Sequence, residues 1–212
     1  MQPDLKKSYG QYNNLTSIPE KVRGYFYEHE IKGIVKKFVK QKKNIQVLDI
    51  GCGYYAKMLQ AISPYIDIGI GIDLEISDSV LSNEKIRSIK KPYDEALQNF
   101  NDESFDIVLI ISVLEHLEDP LYCLKEIHRI LKKDGILLIN VPTWHSKPLL
   151  EFLAFNLKIN DDSFFGINDH KMYYNKSDLW KILIQSGFKP NQIKIRYHKF
   201  WLALFGICHK ES

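Results

Sequence analysis

The chain has 212 residues, enough to bury a hydrophobic core without help from disulfides or metal ions. Hydrophobic residues make up 45% of it and charged residues 26%, as in ordinary globular domains. The formal net charge of +3 is too small to predict a nucleic-acid partner, and lysine greatly outnumbers arginine, the residue best suited to bidentate phosphate or guanine contacts. We therefore expect no nucleic-acid partner.

The cysteines and the apolar runs set further bounds. Cys52, Cys123 and Cys208 are odd in number and widely spaced, so they predict neither a disulfide framework nor a zinc site. The sequence begins without a secretory signal pattern, and no apolar run approaches the ~20 residues that a membrane span needs. These features predict a cytoplasmic protein with no membrane span and no metal centre.

Residues 1–44 are expected to form an N-terminal arm and one helix. The first 16 residues are polar and rich in tyrosine, and Ser17, Pro19 and Glu20 form a helix-start pattern. Apolar residues then recur at helical spacing, at Val22, Phe26, Ile34, Val35, Phe38 and Val39. The basic end, Lys40–Lys43, suits the negative C-terminus of a helix, with a partner-binding patch as the alternative.

From Ile45 onward, short apolar runs alternate with helical patterns. The runs are Ile45–Ile50, Ile66–Ile72, Phe105–Ile111 and Ile136–Val141. Strands that alternate with helices predict a parallel sheet with helices on both faces. Residues 45–212 are therefore predicted to form one α/β domain of the doubly wound kind.

After Pro142 the pattern loosens, and residues 143–175 are predicted to form a lid insertion. A helical stretch is expected near Leu149–Leu157, and a capped helix over Ser177–Ser186 that Gly187 closes. The two last apolar segments, Phe188–Tyr197 and Lys199–His209, predict a C-terminal antiparallel strand pair.

A glycine turn follows the first predicted strand, in the segment Asp49–Gly53. Glycines there let the backbone turn sharply and approach a ligand, and the helix that follows points its free N–H groups into the same space. The segment Gly51–Ala56 also satisfies the loose dinucleotide fingerprint G-x-G-x-x-A, which favours a nicotinamide-dependent oxidoreductase. Against that function, Asp49 would repel a pyrophosphate. Asp73 ends the next strand, where carboxylates accept hydrogen bonds from ribose hydroxyls.

Four blocks in this order resemble the class I S-adenosylmethionine-dependent methyltransferases. They are Val47–Gly53, Gly71–Asp73, Ser104–Asp106 and Leu114–Leu117, with a looser match at Tyr93–Leu97. The resemblance implies a Rossmann-like fold and S-adenosylmethionine as cofactor. The cofactor-binding residues that it implies are Asp49, Gly51, Cys52, Gly53, Tyr55, Asp73, Leu74, Asp94, Ile111 and Ser112. Tyr55 stands where most members carry a third glycine, which leaves a non-catalytic partner subunit as an alternative.

Two histidines are candidate general bases, because imidazole titrates near neutral pH. Asp169-His170 followed by Tyr173 and Tyr174 resembles a histidine-aromatic block of the family, and His116 follows Glu115 in the Leu114–Leu117 block. Each also has a structural interpretation: His170 anchors the lid, and His116 packs beside the cofactor.

The methyl acceptor is expected to contact the segments outside the common core. These segments are rich in aromatic side chains: Tyr9, Tyr12, Trp144, Phe152, Phe155, Phe164, Phe165, Tyr173, Tyr174 and Trp201. Such a lid predicts a small-molecule acceptor, and the tail Tyr197–Lys210 resembles family members of glycan and other small-molecule biosynthesis, so glycan and lipid-precursor acceptors are considered. The sequence does not predict the oligomeric state.

Overall fold

The structure is a computed structural model that describes residues 18–40, 42–148, 171–198 and 201–211. The N-terminal arm over residues 1–16, the expected helical stretch Leu149–Leu157 and the candidate base His170 lie outside the described residues.

Seven strands of the described residues form one sheet. They are β1 (Gln46–Ile50), β2 (Ile68–Asp73), β3 (Ile86–Lys90), β4 (Phe105–Ile111), β5 (Leu131–Pro142), β6 (Ile193–His198) and β7 (Ala203–His209). Their order across the sheet is β3-β2-β1-β4-β5-β7-β6. The first five strands run parallel, and β7 is antiparallel to both β5 and β6. The predicted mostly parallel sheet with an antiparallel C-terminal pair is confirmed.

Helices cover both faces of the sheet, as predicted. They are α1 (Ile18–Val39), α2 (Lys57–Ile62), α3 (Tyr93–Leu97), α4 (Pro120–Ile130) and α5 (Lys176–Gln185). One buried cluster joins α1 and α2 to the sheet through residues such as Ile31, Leu59 and Leu109. The opposite cluster joins α4 and α5 to it through Leu124 and Leu179. The fold is the Rossmann-like α/β sandwich that the sequence predicts.

Local signals set the ends of the two helices on the second face. The Asp119 side chain accepts the N–H of Tyr122 at 2.9 Å, which satisfies one of the free donors at the start of α4. At the start of α5, the Asn175 side chain accepts the N–H of Asp178 at 2.8 Å, and the Asp178 carboxylate accepts that of Asn175 at 3.3 Å. Gly187, with φ of 116°, ends that helix as predicted.

Several element boundaries differ from the sequence prediction. The pattern did not predict β3, because this edge strand contains only two apolar residues, Ile86 and Ile89. β5 begins five residues early, since Leu131 pairs with Phe105 ahead of a register shift in the ladder. β6 begins at Ile193 rather than Phe188, because the Pro190–Gln192 segment forms a 3-10 turn.

The two edge strands of the sheet carry exposed cations. Arg87 and Lys90 lie on β3, and Lys194 and Arg196 lie on β6. Arg196 also forms an ion pair with Glu30 of α1, which ties the N-terminal helix to the last strand.

Candidate cofactor and acceptor site

The parallel strands end side by side at one edge of the sheet. Ile50 of β1 aligns with Ile72 of β2 and with Ile110 of β4, and Ile111 aligns with Asn140 of β5. Most of the site residues predicted from sequence lie at or just after these strand ends: Asp49, Gly51, Cys52, Gly53, Tyr55, Asp73, Leu74, Ile111 and Ser112. Ligands of open α/β sheets bind at this carboxyl edge.

The glycine turn is built from two glycines with different roles. Gly51 and Gly53 have φ of 70° and 73°, a backbone region that favours glycine. A Cβ on Gly51 would lie 2.2 Å from Cγ2 of Val113, so packing against the loop after β4 excludes a side chain there. A Cβ on Gly53 would meet nothing within 4 Å and would project into open space. Gly53 therefore leaves room for close approach of a ligand to the backbone.

Asp73 joins the turn to the end of β2. Its Oδ2 accepts the backbone N–H of Gly53 at 2.8 Å, and its Oδ1 accepts that of Leu74 at 2.7 Å. Burial raises the pKa of Asp73, and the backbone N–H groups of Gly53, Leu74 and Glu75 oppose that rise. Each carboxylate oxygen has a second lone pair, so Asp73 can hold the turn and still accept a hydrogen bond from a ligand.

Asp49 is a buried carboxyl group of β1. It is 3% exposed, and no hydrogen bond from the described part of the chain reaches its side chain. Burial, and then the nearby charge of Asp73, raise its pKa to about 8. Two carboxyl groups at the base of one turn stabilise a bound cation, because a positive charge offsets both desolvation and their mutual repulsion.

Cys52 lies inside the turn and is packed rather than reactive. A Cβ on Gly71 of β2 would lie 2.7 Å from the Cys52 Sγ. The glycine at position 71 therefore makes room for the thiol. Burial, followed by the charges of Asp49 and Asp73, raises the pKa of the Cys52 thiol far above its usual range. A thiol held protonated in this way is a poor nucleophile, and its contribution is to the packing under the turn.

Tyr55 occupies the family's third glycine position without the backbone that demands glycine. The next residue, Ala56, has a positive φ of 44°, whereas Tyr55 does not have a positive φ. Its ring packs edge-to-face on Tyr54 with centroids 4.9 Å apart, and its carbonyl accepts the Gln60 amide at 2.7 Å. The turn therefore tolerates a side chain at position 55.

Asp94 lies further along the same edge. It is exposed in the first turn of α3, two elements after Asp73 in the chain. The structure thus places it on a short helix, and its contact with the adenine stays a prediction. Leu74, directly after Asp73, is 44% exposed, and it offers an apolar surface on the rim of the site.

Ser112 is linked to a buried residue that the sequence analysis did not single out. Its N–H donates to the Asn140 carbonyl at 3.0 Å and its Oγ contacts Asn140 Oδ1 at 3.2 Å. Asn140 is itself buried and donates from Nδ2 to the Leu204 carbonyl at 2.7 Å. An asparagine inside the apolar run Ile136–Val141 was the available signal, because buried amides require hydrogen-bond partners.

The Glu115-His116 block holds the backbone of residues 171 and 172, ahead of α5. Glu115 and His116 form a 3-10 turn over Leu114–His116, in which Glu115 is buried. The Glu115 carbonyl accepts the N–H of Lys171 at 2.9 Å and of Met172 at 3.3 Å. His116 is half-buried beside these contacts. Residues 171 and 172 are therefore held at the carboxyl edge of the sheet.

The residues after β5 bring aromatic side chains to the same edge. Trp144 is 50% exposed. Its ring packs against that of Tyr173, with centroids 5.6 Å apart. Tyr174 donates its N–H to the Pro142 carbonyl at 3.1 Å, and its hydroxyl is buried. Burial and the Glu115 charge raise the pKa of the Tyr174 hydroxyl above its usual range, so it stays protonated.

The described residues show neither a metal-ligand cluster nor a helix that could span a membrane. They contain no group of three or more histidine, cysteine, aspartate or glutamate side chains that could hold a metal ion. None of the helices within them is both long and apolar enough to cross a membrane.

Comparison with known proteins assigns the family. The model of the family described as "Methyltransferase domain" matches residues 23–193, which is most of the chain. The chain belongs to the class I methyltransferase family. The glycine turn, Asp73 and the Glu115-His116 block all lie within the matched residues.

Individual relatives match part of this chain at modest sequence identity. An uncharacterized protein of Methanocaldococcus jannaschii is 34% identical over 159 residues, which cover 70% of this chain and 64% of that protein. A demethylmenaquinone methyltransferase of Staphylococcus aureus is 29% identical over 143 residues, or 64% of this chain and 56% of that protein. The chain thus spans less than two thirds of these relatives. A crystal structure of an S-adenosylmethionine-dependent methyltransferase from Archaeoglobus fulgidus shares the fold, with a TM-score of 0.61, 19% identity, and coverage of 86% of this chain and 94% of that one.

Proposed function

We propose that this chain binds S-adenosylmethionine and transfers its methyl group to a small-molecule acceptor. The observation that carries the proposal is the buried Asp49 carboxyl beside Asp73, beneath a glycine turn that opens toward solvent at Gly53. A site with two carboxyl groups and no cation among the described side chains in contact with Asp49 suits a ligand that carries its own positive charge.

Each residue of the turn has a role toward that cofactor. Asp73 accepts hydrogen bonds from the ribose hydroxyls with the lone pairs that Gly53 and Leu74 leave available. Asp49 pairs with the positively charged amino end of the cofactor. Gly53 lets the backbone approach closely, while Leu74 and Asp94 face the adenine. Cys52 and Ile111 line the site at the ends of β1 and β4, and the exposed Ser112 presents its hydroxyl there.

When bound, the cofactor supplies a methyl group on a sulfonium, and an oxygen, nitrogen or carbon of the acceptor forms its bond to that methyl as the carbon–sulfur bond breaks. The protein's main task is to hold the two reactants in line, which accounts for roughly 7–11 kcal/mol in intramolecular models. A base is needed only where the acceptor keeps its proton near neutral pH. His170 and His116 remain the candidates for that role, and His116 lies at the correct edge of the sheet.

The acceptor is proposed to be small because the surface after β5 is aromatic rather than strongly basic. Trp144, Tyr173 and Trp201 lie there, close to the end of β5. The Staphylococcus aureus relative is named a demethylmenaquinone methyltransferase. That name agrees with the lipid-precursor class of acceptor, and the glycan class remains the second candidate.

The two alternatives from the sequence are less well supported by the site. A nicotinamide dinucleotide would bring a pyrophosphate toward the negative charge of Asp73 and would keep the buried Asp49 in its neutral, protonated form, so neither carboxyl group would favour it. A non-catalytic member was suggested by Tyr55, but the backbone at that position does not require glycine. We therefore propose that the chain is an active enzyme.

Isothermal titration calorimetry with three ligands tests the proposal. S-adenosylhomocysteine and S-adenosylmethionine should bind, and NAD should give no heat of binding. Asp49→Asn should weaken both positive titrations and leave the circular dichroism spectrum unchanged. NAD binding in the absence of any S-adenosylhomocysteine signal would sink the proposal.

A further inference from the structure

Ser112 has a backbone conformation that serine rarely adopts. Its φ of 56° lies in the left-handed region, where a side chain crowds the following carbonyl. The residue is exposed, and it directly follows the last residue of β4 at the carboxyl edge of the sheet. Residues held in such conformations persist only where the surrounding structure enforces them, and they cluster at binding and active sites. The conformation of Ser112 is therefore a candidate functional feature.

Asn140 enforces this conformation from the neighbouring strand. Its carbonyl accepts the Ser112 N–H at 3.0 Å, and its Oδ1 accepts the Ser112 hydroxyl at 3.2 Å. The side-chain amide of Asn140 is fixed in turn, because its Nδ2 donates to the Leu204 carbonyl at 2.7 Å. A reversed amide would set two carbonyl oxygens against each other, so Oδ1 is the atom that faces Ser112.

The orientation of this amide determines what the Ser112 hydroxyl offers to a ligand. A hydroxyl has one hydrogen and two lone pairs, and the hydrogen of Ser112 is committed to Asn140 Oδ1. Among the described residues, no group donates to the Ser112 oxygen. Ser112 can therefore accept a hydrogen bond from a ligand, whereas donating one would break its bond to Asn140.

The loop that carries Ser112 lies against the glycine turn. Val113 packs so closely on the α-carbon of Gly51 that a Cβ there would lie 2.2 Å from its Cγ2. In the sheet, β1 with Asp49 lies between β4 and β2, so Ser112 and Asp73 are on opposite sides of it. The amino-acid end of the cofactor, which is assigned to Asp49, is therefore nearer to Ser112 than the ribose is.

We propose that Asn140 is a positioning residue that holds Ser112 as a hydrogen-bond acceptor for the ammonium group of the cofactor. This inference rests on the proposed function, because it concerns the cofactor of that same site. An ammonium group has three hydrogens and can bond to Ser112 and Asp49 together. A carboxylate has only lone pairs, so the fixed lone pairs of Ser112 disfavour it. Ser112 thus determines which arm of the cofactor's amino-acid end points toward β4.

Analogues of S-adenosylhomocysteine separate the two arms. The first, 5′-(3-aminopropylthio)-5′-deoxyadenosine, keeps the amino group and lacks the carboxylate. The second, 5′-(3-carboxypropylthio)-5′-deoxyadenosine, keeps the carboxylate and lacks the amino group. The third, 5′-methylthioadenosine, lacks both. Calorimetry measures the affinity of the protein and of each variant for these three compounds and for S-adenosylhomocysteine.

Ser112→Gly removes the hydroxyl and suits the left-handed backbone. It should weaken binding of S-adenosylhomocysteine and of the aminopropyl compound by about tenfold, the lower end for a hydrogen bond to a charged group. Binding of the other two compounds should not change. Asn44→Gly is the matched control, because Asn44 is exposed and has a φ of 58° but lies ahead of β1, at the amino edge of the sheet. It should change none of the four affinities.

Coupling between the two residues tests the positioning role. In Asn140→Ala the Ser112 hydroxyl can rotate, so this variant should lose affinity for the two amino-bearing ligands only. Adding Ser112→Gly to it should then cost less than Ser112→Gly costs alone. Asn140→Thr, which suits a strand and keeps a hydrogen-bonding group, replaces Asn140→Ala if the latter does not fold. A merely structural asparagine would lower the melting temperature and leave the preference among ligands unchanged.

The outcomes distinguish the two levels of the proposal. Absence of S-adenosylhomocysteine binding by the unmodified protein would overturn the proposed function. Intact binding that Ser112→Gly leaves unchanged, or that it weakens equally for all four ligands, would overturn the ammonium contact alone. A loss confined to the two carboxylate-bearing ligands would also overturn it. Additive losses from Ser112→Gly and the Asn140 variant would overturn the positioning role.

Discussion

The Asp73 carboxylate and the Gly53 backbone N–H lie 2.8 Å apart although 20 residues separate them in the chain. The contact crosses from the end of β2 to the turn after β1, so the proposed ribose acceptor also determines where the turn lies. The two features of the sequence that pointed to a nucleoside cofactor are therefore one structural unit.

Replacing Asp73 should weaken cofactor binding sharply. Asp73→Ala removes the proposed ribose acceptor and also releases the Gly53 N–H. We expect a loss of at least ~1.5–3 kcal/mol in the binding free energy of S-adenosylhomocysteine, the range for hydrogen bonds to a charged group. Calorimetry measures the change, and an affinity within twofold of the unmodified protein would contradict the assignment.

Asp67 offers the matched control for that experiment. Its carboxylate accepts the Ile45 N–H at 2.7 Å, the same kind of bond as in Asp73, but at the amino end of the sheet. Asp67→Ala should lower the melting temperature and leave the affinity for S-adenosylhomocysteine unchanged.

Cofactor affinity should rise with pH between 6 and about 8. The pKa of Asp49 is raised to about 8, so its carboxyl is protonated in the free protein near neutral pH. Pairing with a cationic ligand requires the carboxylate, and binding should therefore release a proton. Calorimetry in buffers of different ionisation enthalpy measures that proton, and Asp49→Asn should abolish its release.

The same group should make the free protein less stable as pH rises. Between its ordinary value of 3.8 and the folded value of about 8, Asp49 holds a proton in the folded state that the unfolded chain has released. Folding therefore takes up a proton, and the free energy of unfolding falls as pH increases through this window. The melting temperature of Asp49→Asn should decline less steeply from pH 5 to 8, and parallel declines in the two proteins would count against the buried carboxyl.

The two glycines of the turn should respond differently to alanine. Gly51→Ala places a methyl group against Val113, and the clash adds to the cost of a left-handed alanine, for a loss of ~2–5 kcal/mol in unfolding free energy. Gly53→Ala meets no atom and should cost only ~1–2 kcal/mol, yet its methyl group occupies the space proposed for the cofactor. Thermal melts and S-adenosylhomocysteine titrations separate these effects, and a Gly53→Ala variant of full affinity would show that the ligand does not approach there.

Much of this fold could be predicted from the sequence because its signals are local. The strands β1, β2 and β4 are mostly apolar, as expected for strands buried on both faces, and capping residues mark the starts of α4 and α5. β3 was not predicted because three of its five residues are polar and its place in the sheet is set by pairing with β2.

The site was predictable only in part. Glycines and carboxylates at strand ends identified the turn, since those residue types have few other roles there. The bond between Ser112 and Asn140 depends on the pairing of β4 with β5, and the contact of Trp144 with Tyr173 joins residues that are far apart in the chain. No local pattern encodes either contact.

Tyr55→Gly should alter cofactor affinity with little effect on stability. We predict that Tyr55 lines the methionine end of the cofactor, while its backbone needs neither glycine nor a positive φ. Global stability should stay within ~1 kcal/mol, which allows for the entropy cost of glycine. A large drop in melting temperature with unchanged S-adenosylhomocysteine affinity would identify Tyr55 as a packing residue.

The cations on β3 and β6 bear on how copies of this protein meet in concentrated solution. A strand at the edge of a sheet is a template for another chain, and charged side chains on it discourage such pairing. Two copies that joined β6 to β6 with matching faces would set Lys194 and Arg196 of one against the same residues of the other. Pairing through Arg87 and Lys90 of β3 would also bring cations together, so both ends of the sheet resist growth into a fibre.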